Sequence, residues 1–187
     1  MTHRRSAAAA RAAIEATALA MFTRKGYEAT SLDEVAAELG ITRQAVLYHY
    51  GSKEHLLAAV IAPAMDDVKA ALAEIDPADP PTRDQQRKTL TALVHSMAAF
   101  RAAHALLSGL HTATVALQAV PNLIETNQQV AHMLGGSAVE RCPVTRVRVL
   151  ATMAALKGSM ASRLALPLET DEELETLIDA SLAMLAS

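Results

Sequence analysis

Apolar residues in this chain recur at the three- and four-residue spacing of helices, and turn residues punctuate them into segments. Leu32, Val35, Ala36 and Leu39 fall at i, i+3, i+4 and i+7, one apolar stripe of a short helix. Ser31 and Glu34 before and within it form a capping-box pattern, so this helix starts near Leu32. Gly40 follows the stripe as a residue free to turn the chain, Ile41 is placed to fill the corner, and Thr42 caps the next helix. Upstream, Ile14, Ala18, Met21 and Phe22 mark the inner face of a helix from about Arg5 to Lys25, ended by Gly26. His3, Arg4 and Arg5 before it read as a short basic arm. Downstream, Gly51 breaks the chain and Ser52 caps a fourth helix that carries Leu56, Leu57, Val60, Ala64, Val68 and Leu72 to about Ile75.

Pro77, Pro80 and Pro81 make residues 76–82 a linker, and Thr82 with Gln85 opens another helix with a capping box. The helical pattern from Arg83 to Val120 is too long for one helix of a compact domain, which predicts a break between Ala102 and Gly109. Pro121 suits the first position of a helix ending at Gly135-Gly136, and a loop follows to Pro143. A helix from Val144 to about Ala165 carries small residues, Ala151, Ala154, Ala155, Gly158, Ala161 and Ser162, that permit close approach of a neighbour. Leu166-Pro167 divides it from a last helix, which Thr170 and Glu173 cap and which has Leu174, Leu177, Ile178, Leu182 and Leu185 as its stripe. The fold class predicted is all-α: an N-terminal three-helix helix-turn-helix domain over residues 1–52, then a helical domain over residues 53–187.

The second helix of the pair near residue 40 presents Arg43, Gln44, Leu47 and Tyr48 outward, with Ala45 and Val46 facing back. An exposed helix with arginine and glutamine near its N-terminus suits the major groove of duplex DNA, where Arg grips guanine and Gln pairs with adenine. Lys53 stands at a helix N-terminus, a natural place for a phosphate.

The run FTRKGYEATSLDEVAAELGITRQAVLYHYGSKEHLL, residues 22–57, closely resembles the DNA-binding domain of the tetracycline-repressor (TetR) family of transcriptional regulators. The resemblance rests on Phe22 through Gly26-Tyr27, Thr30-Ser31, Val35-Ala36, Gly40-Ile41-Thr42 and His49-Tyr50-Gly51-Ser52-Lys53. Where that family often has a tyrosine this chain has Leu47, with Tyr48 and His49 adjacent to supply the contact. The resemblance implies a homodimer on a palindromic operator of double-stranded DNA, with Arg43, Gln44, Leu47 and Tyr48 at base edges and Thr30, Thr42, His49 and Lys53 on phosphates. It also implies a repressor released from its operator by a small-molecule effector, and a dimer interface built from the last two helices.

Charge refines this picture. The net charge is −3, yet residues 1–56 hold seven Lys/Arg against six acids, leaving ten against fourteen for the remainder. Where cations sit matters more than their sum for nucleic-acid affinity. Aromatic residues are 3% of a chain that is 51% hydrophobic, so the core is built from Ala, Leu, Val and Met. No run of about 18 uncharged apolar residues suggests a membrane span, and the N-terminal sequence leads into an alanine-rich helix rather than a signal-peptide pattern, so a cytoplasmic protein is expected. The single Cys142 excludes a disulfide within one chain.

Seven histidines form no HExxH or other metal-ligand spacing, and there is no phosphate-binding glycine loop or G-x-S-x-G nucleophile motif. The sequence therefore predicts neither an enzyme nor a metal or cofactor. Met97, Phe100, Arg101, His104, Leu107 and His111 combine apolar and polar groups on the middle helices and are expected near an effector cavity. The same spacing also suits plain core. A second function class stays open: a helical small-molecule- or partner-binding protein whose helix-turn-helix does not read DNA.

Overall fold

The computed structural model describes residues 2–109, 123–161 and 170–186, and among these the chain is helical with no strand. The helices are α1 (Thr2–Lys25), α2 (Leu32–Glu38), α3 (Arg43–Tyr50), α4 (Lys53–Ala73) and α5 (Arg83–Ala99). They continue as α6 (Arg101–Gly109), α7 (Leu123–Gly135), α8 (Ala138–Arg141), α9 (Pro143–Ala161) and α10 (Asp171–Ala186). All three sequence-predicted capping boxes form. The backbone NH of Glu34 donates to Ser31 Oγ at 3.2 Å, that of Gln85 to Thr82 Oγ1 at 3.3 Å and that of Glu173 to Thr170 Oγ1 at 3.2 Å. In each, the N3 side chain returns to the cap residue's NH, satisfying groups that a bare helix start leaves open.

Four boundaries differ from those expected. α1 begins at Thr2, so His3 to Arg5 belong to its first turns rather than to a separate arm. The break expected between Ala102 and Gly109 falls at Phe100, which leaves helical geometry (φ −113°, ψ 37°) and turns α6 by 99° from α5. The loop before Pro143 contains the one-turn helix α8, and α9 starts on Pro143, whose missing NH costs nothing at a first helical position. The expected helix start at Pro121 and the division at Leu166-Pro167 lie outside the described residues.

Buried side chains gather in two clusters. One unites α1, α2, α3 and the first half of α4 around Ile14, Phe22, Val35, Val46, Leu57 and Ile61, and takes in Ala103 and Leu106 of α6. The other joins the second half of α4 to α5, α7, α9 and α10 through Leu72, Leu90, Leu134, Leu156, Ile178 and Leu182. Both α4 and α6 therefore touch the first cluster while lying beside the second set of helices. α4 runs unbroken through Pro63, whose ring is exposed, so the lost hydrogen bond lies toward solvent.

α7 meets α8 and α9 at a point that excludes any side chain. A Cβ on buried Gly135 would stand 2.6 Å from Val139 Cγ2, 2.9 Å from Val149 Cγ2 and 3.0 Å from Thr145 Cγ2. These are β-branched residues with little rotamer freedom to yield. Gly135→Ala is expected to lower stability by about 1–2 kcal/mol despite alanine's better helix propensity, a Tm fall of roughly 2–8 °C in a thermal melt.

Candidate functional site

The helix pair is held in place by local chemistry that leaves one face of α3 outward. Gly40 (φ +65°) makes the turn between α2 and α3, in a conformation that a Cβ would strain. Ile41, expected to fill the corner, is only partly covered, at 38% exposure. Thr42 then caps α3, its Oγ1 accepting from the Ala45 NH at 3.2 Å. One turn in, Val46 is fully buried, and Tyr50 one turn further lies 7% exposed. The Tyr50 hydroxyl sits 2.8 Å from Glu15 Oε1 and 3.1 Å from the Arg11 carbonyl oxygen, while the Arg11 guanidinium covers its ring. Burial, then the Glu15 carboxylate, pushes the phenol up to about 12, so it stays a proton donor under all physiological conditions.

With Val46 and Tyr50 facing in, the helix period turns Arg43, Gln44 and Tyr48 out; Tyr48 is 85% exposed. Asp33 of α2 stands beside Arg43, its Oδ2 3.4 Å from Nε, an exposed pair worth little in energy that nonetheless orients the guanidinium. His49, half-buried, lies edge-on to Tyr48 and tilted against Tyr50. Leu47, expected outward with the readers, is half-buried against the first cluster and lines a shallow groove running from Glu28–Asp33 to Gly51–Lys53. That shift follows from its place between the two anchoring residues.

Thr30 departs further from its expected phosphate role. Its side chain is 1% exposed and its Oγ1 donates to the Gly26 carbonyl at 2.9 Å, bracing the end of α1. Lys53 is at the groove but partly engaged: its ammonium lies 4.2 Å above the Tyr27 ring and donates to the Glu28 carbonyl at 3.4 Å. Burial draws its pKa below the ordinary lysine value. Tyr27 in turn approaches Glu54 Oε1 at 3.4 Å, and burial with that carboxylate raises its phenol. Lys25, at 2.7 Å, and the Ser31 NH hold the Glu34 carboxyl down at about 2, so this capping-box acid of α2 carries its own counterion.

A cavity of about 120 Å³ lies among α4, α5, α6, α7 and α9. Met65 and Val68 line it from α4, Leu93 and Met97 from α5, and His104 and Leu107 from α6. Leu123, Thr126, Asn127 and Val130 of α7 face Met153, Leu156 and Lys157 of α9 across it. Of the six residues expected near an effector, Met97, His104 and Leu107 meet there. Phe100 sits at the α5–α6 bend and packs on the first cluster, Arg101 opens α6 away from the lining, and His111 lies outside the described residues. Burial, then the charge of Lys157, lowers the pKa of His104, which keeps its imidazole neutral at physiological pH. Thr126, Asn127 and Lys157 were not singled out from sequence. A lone lysine within the small-residue helix α9, and two adjacent polar residues on the apolar face of α7, were the available signals.

Residues 14–60 match the model of a family described as bacterial regulatory proteins, tetR family. An HTH-type transcriptional regulator of Bacillus subtilis, YuxN, itself described as uncharacterized, is 33% identical over 81 residues. That match spans 43% of this chain and 28% of the relative. Among solved structures, the TetR family regulator PfmR of Thermus thermophilus is similar at 23% identity with a TM-score of 0.68, over 93% of this chain and 97% of its own. A bacterial regulatory protein in the tetR family from Rhodococcus RHA1 is similar at 24% identity and a TM-score of 0.71, over 94% and 96% of the two chains. At such identities the likeness of the structures is one of fold.

Proposed function

Because the chain belongs to the tetR family of bacterial regulatory proteins, we propose that it is a ligand-responsive repressor, acting in the cytoplasm as a homodimer on a palindromic operator. The observation that carries this reading is α3: a capped helix, anchored by Val46 and Tyr50, whose free face offers Arg43, Gln44 and Tyr48. Arg43, Gln44 and Tyr48 read base edges, with Leu47 contributing its remaining exposed surface to a thymine methyl. Thr42 and His49 on α3 and Lys53 at the groove hold phosphates, while Thr30, buried and bonded to Gly26, supports the end of α1 instead. Residues 1–52 then form the DNA-binding unit and residues 53–187 the effector-binding and dimerisation unit. The work is binding, not catalysis.

Effector response requires an element that touches both the cavity and the DNA-binding unit, and α6 does so. Ala103 and Leu106 lie in the first cluster while His104 and Leu107 line the cavity. A ligand that fits one setting of α6 better than another shifts the population of domain arrangements, and with it the spacing of two recognition helices. Selection of bound duplexes from a random pool is expected to return a palindrome. Recovery of no motif at moderate salt favours the helical binding protein that does not read DNA.

Arg43→Ala is expected to weaken binding to the selected site by roughly tenfold to a hundredfold and to relax preference at one base pair of each half-site. Titration against single-base variants of that site checks it. Equal weakening on every sequence would assign Arg43 to the backbone instead.

A further inference from the structure

We propose that the cavity takes a small apolar monocarboxylate, its carboxylate lying at the corner formed by Lys157, Asn127 and Thr126 and its hydrocarbon part among the methionines. This deepens the effector reading and rests on it. Lys157 Nζ donates to Asn127 Oδ1 at 3.2 Å, and among the described residues no carboxylate lies within ion-pairing distance of it. Lys157 is an exposed residue that lines the cavity with part of its side chain; the partial burial lowers its pKa, and no neighbouring charge among the described residues offsets that. The Thr126 hydroxyl faces the same space from the neighbouring position. It is buried without a hydrogen-bond partner, its residue only 4% exposed. A buried hydroxyl left unpaired is costly, and a ligand oxygen that accepts from it removes that cost.

The charge selects the class. Among the described lining residues Lys157 is the one cation, and His104 beside it is neutral, so a single negative charge is matched where a phosphate or a dicarboxylate would be left uncompensated. The rest of the described lining is apolar, and Met65, Met97 and Met153 bring flexible, polarisable side chains that adapt to differing hydrocarbon shapes. A volume of about 120 Å³ is near that of an apolar cavity known to take benzene, which sets the hydrocarbon part at about six carbons.

The test is calorimetric titration of the full-length protein with hexanoate and benzoate, each paired with its primary amide. Both carboxylates are expected to bind at least roughly tenfold more tightly than their amides. Lys157→Met should cost the carboxylates much more affinity than the amides and so shrink that difference, and Lys157→Arg should retain it. Thr126→Val should weaken the carboxylates and raise the Tm of the free protein by roughly 2–6 °C, because a stranded hydroxyl is replaced by a methyl of like volume. Equal affinity for carboxylate and amide in the native protein, or no binding of either carboxylate, overturns the assignment; so does a Tm fall in Thr126→Val. The effector reading is judged separately, by operator titration with the bound carboxylate. Binding that depends on Lys157 but leaves DNA affinity unchanged upholds this site and overturns its regulatory role.

Discussion

Val147→Asp is expected to yield a folded monomer whose affinity for a full palindromic operator is lower by roughly 10²–10⁴-fold. The residue lies on α9, far along the chain from the recognition helix, and is 64% exposed. Val144 and Leu150 beside it are 57% and 55% exposed, and Ala151, Ala154 and Gly158 continue the exposed side of the same helix. α10 packs alongside and presents Thr176, Ala180 and Ala183 to solvent. An isologous pairing of these two helices with their copies would bury that apolar row against itself. An aspartate there costs the isolated chain little, since the position is open to water, but in the dimer it appears twice and is stripped of solvent. Losing the dimer converts two linked half-site contacts into one, which removes the avidity of a tethered pair. Sedimentation equilibrium would register the change in mass, and titration of a half-site should be unaltered. A variant that still sediments as a dimer would move the interface to another face.

How much of this could be read from the residues depended on how local each cause was. The caps at Ser31, Thr42, Ser52, Thr82 and Thr170 act within three residues, so the sequence pattern alone locates the helix starts they control. The outward face of α3 was legible for the same reason, since burial of Val46 and Tyr50 fixes by helix period what faces out. Leu47 escaped that reading because its half-buried state depends on packing against the first cluster, not on its neighbours in sequence. Thr30 escaped it because a threonine beside a cap looks like a surface residue until the end of α1 folds back over it. The bend at Phe100 carries no proline or glycine; it arises where Met97 belongs to one cluster and Ala103 to the other, a division that only tertiary contacts define. The polar corner of the cavity was hardest to see, since Thr126 and Lys157 lie far apart in the chain and meet only because α7 and α9 are packed together.

Phe22→Ala should destabilise the DNA-binding unit by about 3–5 kcal/mol, against the roughly 5–15 kcal/mol that typically holds a whole domain. Phe22 is 1% exposed, and its ring stands edge-on to Tyr27 with centroids 5.3 Å apart, so the truncation removes an aromatic pair as well as volume. The cavity it leaves lies within the cluster that supports Val46, hence within the support of α3. Hydrogen exchange is the measurement that separates local from global loss. Amides of residues 14–60 should exchange much faster, while those of α5 and α10, whose buried side chains belong to the second cluster, keep most of their protection. Operator affinity should fall with the folded fraction of the first unit, and Phe22→Leu, which keeps most of the volume, should recover the greater part of it. The second unit answers a further question in the same experiment. Ala103 and Leu106 of α6 lose part of their packing when the first cluster loosens, and α6 also forms a wall of the cavity. If α6 links the two sites, then freeing it from the DNA-binding unit must also change ligand affinity, because coupling between two binding events is reciprocal. An unchanged affinity in Phe22→Ala would break that link and leave α4, which also spans both clusters, to carry the signal.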